Sequence, residues 1–297
     1  MSAPDPLLSV VIASVNGPEL LERTLAALDA LPERERLEIL VVSRGEHDER
    51  LAARAPSVRI IEGEAGETIP ALRYRGIVAS SAGLVAILED HVAVESTWAD
   101  SMIEAHRGPW GAVAGAVANG RGGWVDWAAF LCEYTTYMPP VVDGEHHDLP
   151  GNNIAYKREC LLRHAHELRD GRWESWVNAR LHAEGVPTAV TNGAVVHHLK
   201  PFGLARFLVQ RFHFSRSYAG MRRVDQSPLR RVVYGFGSAV LPALLSWRTA
   251  RQALAKRVSP ARLISVAPLL GLFFTVGAFG EMLGYLIGPG RSLSRVE

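Results

Sequence analysis

The sequence predicts an α/β fold built on a parallel sheet, followed by an apolar helical region toward the C-terminus. Three observations carry this. Short apolar runs alternate with helix-patterned segments from the N-terminus onward. One run, Leu84-Val85-Ala86-Ile87-Leu88, is continuous enough for a strand buried on both faces, and it ends abruptly in Glu89, Asp90 and His91. The charge divides sharply: residues 1–198 carry 17 basic and 28 acidic side chains, whereas residues 199–297 carry 15 basic and 3 acidic.

Taken in order, Leu7 to Ser14 reads as a first buried strand, punctuated by Asn16-Gly17-Pro18. Glu19 to Leu31 carries Leu20, Leu21, Leu25 and Leu28 at helical spacing. Leu37 to Val42 is a second strand, ended by Ser43-Arg44-Gly45. A helix over Asp48–Ala55 and a short strand over Val58–Ile61 follow. Ile69 to Ser80 reads as the helix that feeds the Leu84–Leu88 strand. Ligands of open α/β sheets sit beyond the carboxyl ends of the strands. Glu89, Asp90 and His91 therefore fall where a ligand would sit, unless they are only a strand end facing water. Their oxygen and nitrogen donors suit a divalent cation, which in turn would hold a diphosphate. No glycine-rich phosphate loop follows the first strand, which argues against NAD and ATP folds and leaves phosphate binding to a metal.

Composition sets outer bounds. The chain has 297 residues, room for one large domain or two small ones, with 48% hydrophobic and 21% charged side chains. Cys132 and Cys160 form neither a disulfide framework nor a zinc spacing, and fit a reducing compartment. Met1 to Pro6 lacks a basic region ahead of the first apolar run, so no signal peptide is expected. The basic, apolar tail suggests attachment to an anionic surface; nucleic acid is disfavoured because its cations flank long apolar runs.

The order of six pieces resembles the family 2 glycosyltransferases, over roughly residues 7–220. They are the strand and Asn turn Val10–Asn16, the second strand, the helix segment Ala71-Leu72-Arg73-Tyr74-Arg75-Gly76, the triplet Glu89-Asp90-His91, Gly151-Asn152-Asn153, and Glu174 leading through Arg180-Leu181 to Gly185. The resemblance implies a GT-A fold, with a mostly parallel sheet and flanking helices, and a nucleotide-sugar donor. It implies donor contacts at Ser14, Asn16, Ser43, Arg73, Glu89 and Asp90, and metal ligands at Asp90, His91 and His198. Acceptor contacts fall at Asn152, Asn153, Trp173 and Trp176. Two departures stand out. Ser43-Arg44 occupies the place of an aspartate that contacts the nucleobase, and His91 ends a triplet that usually ends in aspartate. An imidazole donor favours borderline metals, so Mn²⁺ is preferred to Mg²⁺.

Glycosyl transfer needs the leaving diphosphate neutralised by a metal, a base for the acceptor hydroxyl, and a sugar held between them. Counted back from Arg180-Leu181, Glu174 occupies the family's catalytic position. Without that match it is a helix-start carboxylate facing the dipole, worth about 0.3–1 kcal/mol. Trp173 and Trp176 beside it suit a raised carboxylate pKa and stacking on sugars. His197-His198 ends an apolar strand; one member completes the metal or diphosphate site and the other lies at the surface or packs. Arg73 holds a phosphate or ribose, or is an exposed helical arginine. Asn152 and Asn153 bind hydroxyls or shape a turn. Asp143–Asp148 reads as a solvated loop or acceptor lid rather than a second metal site. Trp124 and Trp127, with Phe130, Leu131 and Tyr134, form a helical core face.

In the tail, Phe202 to Met221 interleaves Arg206, Arg211 and Arg216 with Phe207, Phe212, Phe214 and Tyr218, as a helix at a membrane surface does. Gln210-Arg211 lacks the spacing of the Gln-x-x-Arg-Trp signature of processive synthases, so processivity is not expected. Arg216 offers a second cation for the diphosphate. Two apolar runs follow, Val232–Trp247 with Pro242 inside it and Leu263–Gly288 with Glu281 inside it; only the second has the roughly 20 residues a bilayer span needs. If both spanned, the linker bearing Arg248, Arg251, Lys256, Arg257 and Arg262 would face out, against the positive-inside tendency. In-plane or re-entrant helices remove the conflict; a packed hairpin or dimer interface is the soluble alternative.

The expected division is a catalytic domain over residues 1–200, an interfacial segment over 201–230 and an apolar membrane-associated tail over 231–297. The expected function is an inverting, metal-dependent transfer to a lipid-linked or glycan acceptor at the cytoplasmic face of the cell membrane. Two alternatives stand: a membrane-anchored assembly or binding subunit with a degenerate site, and a nucleotidyltransferase, against which a base at Glu174 counts.

Overall fold

The computed structural model describes residues 6–44 and 57–296. The helix expected over Asp48–Ala55 lies outside the described residues. The chain divides into two units, one of Met1–Gly120 with Tyr137–Lys200, the other of Arg121–Thr136 with Pro201–Glu297.

In the first unit, β1 (Leu8–Ser14) is buried along its whole length except at Ser14. It turns into α1 (Pro18–Asp29) through Gly17, whose φ of +94° is a conformation that favours glycine. Pro18 then opens the helix, where its missing N–H costs nothing. β2 (Leu37–Arg44) and β3 (Arg59–Gly63) follow, then α2 (Ile69–Ala79), capped by the Thr68 side chain accepting from the Ala71 N–H. β4 (Leu84–Glu89), β5 (Val92–Val94) and α3 (Trp98–Ala105) lead to β6 (Ala112–Asn119). The chain leaves for α4 (Trp124–Tyr134) of the second unit and returns through β7 (Gly144–Glu145) and β8 (Asn153–Lys157). Three helices, α5 (Arg158–His164), α6 (His166–Arg169) and α7 (Glu174–Ala183), precede β9 (Thr188–His198).

The strands form a nine-stranded sheet among the described residues, in the order β3-β2-β1-β4-β8-β6-β9-β5, with β7 also on β9. The run β3-β2-β1-β4 is parallel. β8 enters antiparallel between β4 and β6, and β5 and β7 pair antiparallel with β9. One face packs Val11, Ile87 and Tyr156 against Leu161, Leu168 and Val177 of the helices, and each fully buried aliphatic side chain contributes about 1.5–3 kcal/mol. Register sets the site: Ser14 lies opposite Ser43 and Ala13 opposite Glu89, so the polar ends of β1, β2 and β4 finish together.

The second unit is helical: α4, α8 (Leu204–Arg222), α9 (Pro228–Gly237), α10 (Leu241–Ala255) and α11 (Pro260–Ile287). In α4, Phe130 and Leu131 of the expected core face are buried together with Ala128 and Ala129, whereas Trp127 and Tyr134 are half-buried and Trp124, at the start of the helix, is exposed. The 28-residue α11 is the one helix among the described residues long and apolar enough to cross a membrane, yet half of its most apolar stretch is buried. It packs closely on α8. A Cβ at Gly280 would lie 2.5 Å from the Phe212 carbonyl oxygen, and one at Gly284 would lie 2.5 Å from that of Arg216. Small residues here let two helix backbones touch.

Candidate functional site

The site begins where β4 ends. Glu89 closes the strand, Asp90 and His91 form the turn into β5, and β5 pairs with the last residues of β9, Val92 opposite His198. The Leu199 N–H donates to the His91 carbonyl at 2.8 Å, which locks the two chain segments together. The His91 and His198 rings meet edge to face with centroids 4.8 Å apart. Glu89, His91 and His198 thus bring one donor atom each to within 4.8 Å of one another, a set that can hold a metal ion. His91 Nε2 lies 3.2 Å from Glu89 Oε2, and that oxygen is buried without a hydrogen bond. A buried, unsatisfied carboxylate oxygen beside two imidazoles fits a divalent cation with nitrogen and oxygen preferences.

The structure departs from the expected donor set at Asp90. Its Oδ2 accepts from the backbone N–H groups of Val15 and Asn16 at 2.7 and 2.8 Å, and its Oδ1 from Asn16 Nδ2 at 2.8 Å. Oδ1 also lies 2.8 Å from His91 Nδ1. Asp90 therefore ties the loop after β1 to the far side of the His91 ring, leaving Nε2 for the cluster, while Glu89 stands among the cluster's donors. A carboxylate behind a histidine in this way fixes its orientation at metal sites. Of the histidine pair, strand alternation turns His198 inward, whereas His197 is only half-buried and lies 2.8 Å from Glu95.

Charge shapes the cluster. Burial opposes ionisation of Glu89, but His91, Arg73 and His198 outweigh it and hold the carboxyl well below the usual range. Burial also opposes charge on His91, which Glu89 and Asp90 nevertheless push up to about 9. Burial, together with the neighbouring His91, pushes His198 down to about 3.

Glu174 opens α7 and is buried with Arg73 of α2, whose Nη1 donates to Oε1 at 2.7 Å. Both side chains are under 5% exposed, so Arg73 is not the exposed helical arginine that one reading allowed. Burial disfavours the Arg73 charge, but Glu174 and Glu89 together keep it firmly protonated. The other Glu174 oxygen faces Gly151, where a Cβ would lie 2.7 Å from Oε2. The adjacent Asn152 is buried with both amide atoms unsatisfied. Trp173 and Trp176 flank Glu174 and are half-buried. Asn153 differs from its expected acceptor contact. Its Nδ2 donates to the carbonyls of Ala116 and Ala194 at 3.0 and 2.9 Å, and its Oδ1 accepts from Trp98 Nε1 at 2.8 Å. It holds β8, β6, β9 and α3 together. Ser14 and Ser43 lie side by side, partly buried, at the ends of β1 and β2. The outer role of Asp90 had no sequence signal, because it depends on the loop after β1 folding back over β4.

A family model described as "Glycosyl transferase family 2" matches residues 9–164, more than half of the chain. A search of the curated proteins returns no match. The match takes in β1, α2, the Glu89–His91 turn and the Gly151–Asn152 stretch, and with it the chain belongs to the family 2 glycosyltransferases.

Proposed function

We propose that this glycosyltransferase is inverting and moves a sugar from a nucleotide diphosphate to a lipid-linked or glycan acceptor at the cytoplasmic face of the cell membrane. The observation that carries this reading is the Glu89–His91–His198 cluster at the carboxyl ends of the strands. Enzymes of this family generally use a divalent metal, which would neutralise the leaving diphosphate. Glu89, His91 and His198 would hold it, and their two imidazoles favour Mn²⁺ over Mg²⁺. Asp90 orients His91. Ser14, Asn16, Ser43 and Arg73 serve the donor. Glu174 takes the acceptor proton, with Asn152, Trp173 and Trp176 around the acceptor; the apolar α11 and its arginine-rich neighbours support the membrane location. The proposed catalytic domain covers residues 1–200, of which Arg121–Thr136 cluster with the helical unit, with the interfacial and membrane-associated segments at 201–230 and 231–297.

A second reading, a binding subunit with a degenerate site, is favoured by one observation: Glu174 is already paired with Arg73. Calorimetry separates the two. Binding of one of UDP, GDP, CDP or dTDP is expected to require Mn²⁺, to vanish in the His91→Ala, His198→Ala double variant and to persist in Glu174→Gln, which would retain no transfer. Absence of binding by any nucleotide to the folded chain would overturn the donor site. Binding without turnover on any acceptor would favour the second reading.

A further inference from the structure

The helices that follow α8 expose what soluble helices bury. Along α9, the single turn over Ser238–Val240 and α10, the large apolar side chains of Leu229, Val232, Phe236, Val240, Leu244 and Trp247 are all exposed. They recur every three or four residues, so they fall in one stripe at helical repeat. Exposure is high: Leu229 is 74% and Phe236 and Val240 are each 65% accessible. The only buried residue of α9 is Gly235. An amphipathic helix whose apolar side faces outward has its partner outside the chain.

Charge identifies that partner. Arg230 and Arg231 follow Leu229 directly, and Arg251 stacks over the Trp247 ring at 5.0 Å. Residues 199–297 hold 15 basic and 3 acidic side chains. A second copy meeting this face would bring two strongly cationic surfaces together, which opposes association. An anionic bilayer matches it: apolar side chains enter the acyl boundary, arginines meet phosphate headgroups, and tryptophan sits at the interface.

We propose that the exposed stripe of α9 and α10 is an in-plane seat for an anionic lipid surface. It deepens the membrane location proposed above and assigns it to these side chains rather than to a lone crossing by α11. The test is co-sedimentation of the full chain with vesicles of phosphatidylcholine alone and with added phosphatidylglycerol. The wild-type chain is expected to sediment with the anionic vesicles and to be released by salt. Phe236→Gln with Val240→Gln should weaken partitioning by about tenfold or more, with an unchanged circular dichroism spectrum and melting temperature. Arg230→Ala with Arg231→Ala should remove the preference for anionic lipid. If the stripe variants bind as wild type does, the membrane location stands and the seat is overturned in favour of α11. If the wild-type chain stays in solution with every vesicle, both are overturned. A lipid-free dimer abolished by the Phe236 and Val240 changes would name a second copy as the occupant and overturn the proposal.

Discussion

Arg73→Met isolates the ion pair at the centre of the site. Arg73 and Glu174 come from α2 and α7, lie 2.7 Å apart and are each under 5% exposed. Methionine keeps the stem and removes the charge, leaving a carboxylate buried without its partner. Removing one member of a buried pair costs about 3–5 kcal/mol. Glu174 is the first residue of α7, where the helix dipole recovers about 0.3–1 kcal/mol. The net expectation is about 2–5 kcal/mol. Glu174→Gln should cost less, because Arg73 keeps the field of Glu89 and the amide oxygen still accepts a hydrogen bond. The double variant, which buries no lone charge at this position, should be more stable than Arg73→Met alone. Urea unfolding of the four chains, followed by circular dichroism, gives the coupling energy directly. Arg73→Met within about 1 kcal/mol of wild type, or strictly additive losses, would refute the buried pair.

Four further outcomes follow from particular contacts. Asp90→Asn should weaken Mn²⁺-dependent nucleotide binding by about 10–100-fold, as loss of an orienting carboxylate does, and by less than His91→Ala; calorimetry ranks them. Gly284→Ala should destabilise the helical unit, since its Cβ would lie 2.5 Å from the Arg216 carbonyl oxygen and the about 1–3 kcal/mol of overpacking exceeds the helix-propensity gain of about 1; Gly271→Ala, with open space around it, should stabilise, and melting temperatures in detergent compare the two. Glu167 is buried and accepts from Arg172 and Arg180 at 2.7 and 2.8 Å. Burial opposes its charge, but the two arginines hold its carboxyl below the ordinary value. Its folded pKa is therefore below the unfolded one, so its contribution is complete above about pH 4.3 and is lost as pH falls through the folded value. Glu167→Gln should cost about 1–2 kcal/mol at neutral pH, limited by the half-exposed arginines, and the gap from wild type should close in acid. Gly151→Ala should lower transfer while leaving nucleotide affinity unchanged, because the added methyl would lie 2.7 Å from Glu174 Oε2 and push that carboxylate aside.

What was legible in the sequence was what is local. Continuous apolar runs marked β1, β2 and β4, and leucines at helical spacing marked α1. The abrupt change from Leu88 to Glu89 put polar groups at a strand end, because a buried strand cannot carry charges inward. What was not legible depends on pairing. Asn153–Lys157 offers only Ile154, Ala155 and Tyr156 as an apolar run, and its place between β4 and β6 is set by the sheet rather than by its own pattern. The nearness of His91 and His198 likewise comes from β5 pairing with β9, two segments far apart in sequence. Asn153 looked like a ligand contact because a buried amide that binds three elements and one that binds a sugar have the same letter.

The surroundings of the two Glu174 oxygens bear on whether the proposed site is active or degenerate. Oε1 is held by Arg73 and Oε2 lies close against Gly151, where a Cβ would come within 2.7 Å, and the neighbouring Asn152 amide is buried without partners. An alanine at Gly151 would cost stability, since its Cβ would overlap Oε2. Likewise, a buried amide with both atoms unsatisfied costs stability unless a ligand completes it. The arrangement holds Glu174, the proposed base, by one oxygen and leaves the other facing the stretch expected to meet the acceptor. On the proposed reading the ion pair would orient Glu174 for proton transfer instead of retiring it, and the buried, unpartnered Asn152 amide beside it favours that reading.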